Sequence, residues 1–142
     1  MATPWTEPVH ALIERTPTTP AGLWSLMSTA VVASASLALV AGTDDDLSLS
    51  TTITYLREAI TELECACPQL RLSGTVEDVG DAVPHDTEGC RSAITALIGA
   101  AHHLALKLTD TPADSTVPPQ RRARIGHLLA HAMGSARGFD HD

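Results

Sequence analysis

A chain of 142 residues with 44% hydrophobic but only 3% aromatic residues is long enough to bury a core without disulfide or metal staples, and that core has to be built from Ala, Leu, Val and Ile. Its formal net charge of -8 argues against nucleic acid as a partner, because backbone phosphates reward clustered Lys and Arg. Three cysteines form an odd count in no dense framework, which favours a reduced, cytoplasmic setting over a secreted disulfide scaffold.

Pro4, Pro8, Pro17 and Pro20 punctuate the start, so residues 1–19 read as an N-terminal arm with one short helix, about 7–15, bearing Val9, Leu12 and Ile13 with Trp5 nearby. Glu7 and Glu14 precede the next apolar run and Arg15 is the only base, unlike the positive start of a secretory signal. A second helix is expected over 20–41, stopped by Gly42. Thr43 with Asp44, Asp45 and Asp46 makes an acidic start for a third over 44–67, ended by Pro68. The short link between them makes these two antiparallel neighbours. Residues 68–86 read as a long loop, a length that is often functional or mobile in a compact domain. A fourth helix follows over 87–109, then a polar, Pro-bearing linker, then a fifth begun by Pro118 and Pro119 and stopped by Gly138, with 138–142 as a flexible tail.

Four of these segments carry an apolar seam in alternating steps of three and four. The seams are Leu23, Leu26, Ala30, Ala33, Leu37, Val40; Leu49, Ile53, Leu56, Ile60, Leu63, Cys67; Cys90, Ile94, Leu97, Ala101, Leu104, Leu108; and, more loosely, Ile125, Leu128, Ala132, Ser135, Phe139. That spacing predicts an all-α, antiparallel four-helix bundle with a short N-terminal helix, occupying 1–142 as a single domain. Arg57-Glu-Ala-Ile-Thr-Glu-Leu and Arg91-Ser-Ala-Ile-Thr-Ala-Leu match in part, but the match extends no further and reads as shared heptad grammar.

The second helix departs from the pattern, since no charged residue lies between Arg15 and Asp44. A bundle helix should be polar on its back; here the back carries Trp24, Ser28, Val31, Val32, Ala35 and Leu39. Such a face has to be covered by a second subunit, by the N-terminal arm or by lipid. Length suits a membrane span, but the Ser and Thr residues, the missing basic cluster and Asp44 to Asp46 oppose it. The arm is short for the task. These six residues are therefore the expected interface of a homo-oligomer, with Trp24 as its aromatic anchor.

Chemistry-bearing residues form two groups. Cys65, Cys67, His85 and Cys90 are a zinc-type donor set, conceivable if the end of the third helix meets the start of the fourth. Yet Cys-x-Cys is not the usual spacing, and heptad positions alone account for Cys67 and Cys90 as small apolar residues. No cofactor other than that candidate zinc is indicated. On the fifth helix Arg124, His127 and His131 share a stripe away from the seam and are a candidate surface for a protein partner; the two histidines have the spacing of a shared metal face, without the Glu or third ligand of a zinc protease. Arg121, Arg122 and Arg124 could dock on the acidic remainder of the chain. No Glu-x-x-His of a di-iron bundle, nucleophile elbow or phosphate-cradling loop is present. The residues point to a non-catalytic interaction or regulatory module that self-associates, with a metal- or redox-responsive bundle or a small-ligand-binding bundle as alternatives.

Overall fold

The structure, a computed structural model, describes residues 5–40, 43–70, 75–77, 79–80, 87–108 and 117–137, with backbone alone for 43–46. His85, the Gly42 stop and the tail 138–142 lie outside the described residues, as does most of the 68–86 loop. Within them all regular structure is helical: α1 (Thr6–Arg15), α2 (Pro20–Ala38), α3 (Thr43–Ala66), α4 (Thr87–Leu108) and α5 (Pro119–Ala136).

Local chemistry accounts for the helix starts. Thr19 accepts the Gly22 N–H at 3.0 Å on its hydroxyl, and Pro20 sits at the first helical position, where its missing N–H costs nothing. Gly22 is required by crowding, since a Cβ there would meet the Pro17 carbonyl oxygen at 2.2 Å. Pro119 occupies the same first position in α5. The ends of α4 and α5 are closed reciprocally. Arg122, in the first turn of α5, donates to the Leu108 carbonyl at 3.1 Å, and Arg91, early in α4, donates to the Ala136 carbonyl at 2.7 Å. Each guanidinium thus meets a C-terminal carbonyl that the helix cannot satisfy, at the negative end of its dipole.

Neighbour order follows from which helices touch. α2 packs on α3 and α4, α5 packs on the same two, and α1 lies against α4. Hence α3 and α4 occupy one diagonal of the bundle and α2 and α5 the other. Arg91 also donates to Ser48 Oγ at 3.2 Å, so the starts of α3 and α4 and the end of α5 share one end, called upper below. All four neighbouring pairs are antiparallel, as the seams predict. The connection from α3 to α4, however, must return along the whole bundle, which makes this the single-crossover topology rather than simple up-and-down. The meeting of the third helix's end with the fourth's start does not occur, because a heptad seam says which face is inward and nothing about which helix it faces.

The crossover climbs α2. Thr75 donates its backbone N–H to Ser25 Oγ at 3.2 Å and Glu77 to Thr29 Oγ1 at 3.1 Å. Two extended residues advance about 6.6 Å and one helical turn about 5.4 Å, so hydroxyls four apart on α2 can meet alternate amides of the strap. Arg15 pairs with Glu77, and fully buried Trp5 donates its indole N–H to the Gly80 carbonyl at 3.1 Å. Gly80 has φ +101, a conformation that suits glycine.

The core matches the α4 seam throughout: Cys90, Ile94, Leu97, Ala101, Leu104 and Leu108 are all buried. On α3 the inward face is rotated. Leu49, Leu56, Leu63 and Cys67 are buried as expected, but Thr52 and Ala59 are fully buried in place of Ile53 and Ile60, which are half-buried. Against both α2 and α5, α3 buries a wider face than one seam. Polar groups gather in the upper interior, where Ser34, Ser48, Thr52, Arg91 and Ser135 are buried, whereas the lower interior is Leu23, Leu26, Met27, Leu63, Leu104 and Ile125.

Candidate functional site

The face assigned to self-association divides in two. Its lower part is already covered. Trp24 donates its indole N–H to Glu64 Oε2 of α3 at 2.8 Å and is half-buried against the core; Val31 packs there too, and Ser28 is buried. These three are therefore not a free surface, and Trp24 is not an exposed anchor. The reason is partly the strap at Ser25 and Thr29 and partly α3, whose Glu64 supplies the acceptor an indole needs when it leaves water. The upper part is bare. Val32 is 48% exposed, Leu39 87% and Val40 38%, with Ala35 exposed between them. Leu47, in the first turns of α3 at the same end, is 62% exposed. α2 is 19 residues long and, among the described residues, the one helix apolar and long enough to cross a membrane by composition, yet 56% of it is buried within the bundle.

On α5 the stripe of Arg124, His127 and His131 faces outward, and each member has a neighbour. Arg124 Nε lies 3.0 Å from Glu62 Oε2, while Arg121 Nη1 lies 2.9 Å from Oε1 of the same carboxylate, so two cations of the basic last helix dock on one acid of α3. His127 and His131 place their Nε2 atoms 3.0 Å apart, and the His131 ring stacks on Tyr55 of α3 at 5.3 Å and 23°. His127 also borders a shallow groove of about 570 Å³ between α4 and α5, floored by Ala105, Gly126 and Ala130 and edged by His102 and Leu106.

No family model matches the chain, and no curated protein or solved structure matches it.

The cysteines are placed apart. Cys65 is exposed, and Cys67 and Cys90 are buried thiols. Cys90 adjoins Arg91, whose guanidinium reaches Ser48, while Cys67 lies nineteen residues further along the chain from Ser48, about 28 Å at 1.5 Å per residue. Cys67 and Cys90 thus belong to opposite ends of the bundle, and neither a shared zinc nor a bond between them can form. Among the described residues no three His, Cys, Asp or Glu side chains gather as a metal ligand set.

Composition gave no sign of the polar interior at the upper end. Arg91, noted in sequence only as the start of a partial repeat, is buried and reaches Ser48 Oγ; Ser48 donates to the Ser135 carbonyl, and the Thr52 and Ser135 hydroxyls are 2.8 Å apart. Three hydroxyls at inward positions of two helices were the available signal. They mark an interior that needs hydrogen bonds, since an unsatisfied buried hydroxyl costs about 1–3 kcal/mol.

Proposed function

We propose that the protein is a non-catalytic helical interaction module that associates with a second copy of itself through the upper outer face of α2. The observation that carries this reading is Leu39, 87% exposed with Val40 just past the end of α2, a helix without a single charge that also exposes Val32. A solvated helix face normally carries polar residues, and covering one Leu or Val side chain gains about 1.5–3 kcal/mol, so a handful of them can offset the entropy of a weak association. A two-fold arrangement satisfies both copies with one patch. Three thiols outside any disulfide fit the reducing, cytoplasmic setting of this reading. The burial of more than half of α2 favours its role as a core helix over a membrane span.

Light scattering on purified protein across a concentration series is the test. A dimer or larger species is expected, and Leu39→Asp together with Val32→Asp should return it to the monomer without loss of helix content. Trp24 would be a poor probe, because substituting it would disturb its bond to Glu64 and the packing beneath it. A strict monomer at all concentrations would sink the idea.

A further inference from the structure

We propose that His127 and His131 form a two-nitrogen chelate for a divalent transition-metal ion on the outer face of α5. Residues four apart share one helical face, but the face alone does not converge two rings. Here the two nitrogens are already brought together: the Nε2 atoms lie 3.0 Å apart and the rings meet edge to face, their centroids 4.5 Å apart at 77°. An ion bound to both at about 2.0–2.1 Å would subtend about 95°, the angle of neighbouring positions in the tetragonal coordination preferred by Cu2+ and Ni2+. Tetrahedral coordination would need the nitrogens about 3.3 Å apart, a small further opening.

Two surroundings hold the pair in place. The Tyr55 ring stacks on His131, which restrains the torsions that would swing its nitrogen away. The nearest cation on the same stripe, Arg124, is drawn off to Glu62. In the present contact one Nε2 carries the hydrogen and the other accepts it, because two N–H groups, or two bare nitrogens, would repel at that distance. An ion would sit to one side of the N···N line, so both rings tilt toward it and the hydrogen on the donating Nε2 moves to Nδ1 of its ring, leaving each imidazole a bare Nε2 to offer. The remaining positions on the ion are left to water, since no third His, Cys, Asp or Glu joins the pair among the described residues.

Isothermal titration calorimetry of the full, tag-free chain with Ni2+ and, separately, Cu2+ in a non-coordinating buffer tests the site. One ion per chain is expected. His127→Gln and His131→Gln should each weaken binding at least about tenfold, as losing one arm of a chelate does, while a His102→Gln, His103→Gln double variant leaves it unchanged. Line broadening by Cu2+ in the unmodified chain should fall first on the resonances of Tyr55, His127 and His131, a readout independent of how the variants fold. Binding that survives either single substitution, broadening centred elsewhere, or no uptake of either ion overturns the proposal.

Discussion

The two ends of the bundle solve opposite problems. At the lower end apolar side chains fill the interior and α2 is covered by α3, by α4 and by the strap that Ser25 and Thr29 hold. At the upper end a hydrogen-bonded cluster around Arg91 lies among buried Leu37, Leu49 and Ile94, and the further aliphatic residues Val32, Leu39, Val40 and Leu47 are outside. A stable core and an available apolar surface compete for the same residue types. This chain separates them along the length of one helix, placing stability below and exposed apolar surface above.

That contrast can be broken from either end. The largest effect belongs to the lower core: Leu63→Ala, at a fully buried site, should cost about 3 kcal/mol in urea unfolding, from lost transfer energy plus the cavity left behind. Arg91→Met at the upper interior removes the charge-assisted bonds to Ser48 Oγ and to the Ala136 carbonyl; a loss of about 2 kcal/mol is expected by the same measurement. Trp5→Phe loses the bond to the Gly80 carbonyl and leaves a small cavity where the larger indole lay, for about 2 kcal/mol together. Glu62→Gln weakens two partly exposed ion pairs and should cost less than about 1 kcal/mol, shrinking further in high salt. Leu39→Asp is the sharpest discriminator and the mildest mutation: stability should stay within about 0.5 kcal/mol while the association read by light scattering falls. A large destabilisation there would mean that the upper face belongs to the fold.

The elements were legible where hydrophobic period decides. α4 was read to within a residue and its whole seam is buried, because a helix touching α2, α5 and α1 presents a broad apolar stripe. α2 ends three residues before the apolar pattern does, since Leu39 and Val40 continue the run although they turn out into solvent. Connectivity was not legible. Seams are interchangeable between partners, so nothing in Cys67 or Cys90 revealed that α3 and α4 lie on a diagonal. The uncharged face of α2 was visible, but its division was not, because part of the cover is a strap held by its backbone amides at 75 and 77, and backbone amides leave no mark in a sequence. Ser25 and Thr29, four apart and aimed at those amides, looked like ordinary helical polar residues. The histidine spacing on α5 was visible, whereas the stack on Tyr55 needed the antiparallel docking of α3.

The reciprocal guanidinium bonds between α4 and α5 have a dynamic consequence. Helix ends ordinarily fray on their own, each last turn opening at little cost. Here the last turn of α4 can open only by releasing Arg122 from the first turn of α5, and the last turn of α5 only by releasing Arg91. Opening at one helix therefore loosens the beginning of the other, and the hairpin should exchange its amide hydrogens as one cooperative unit. The last turn of α2 shows no guanidinium of this kind among the described residues, and its amides should exchange independently of that hairpin.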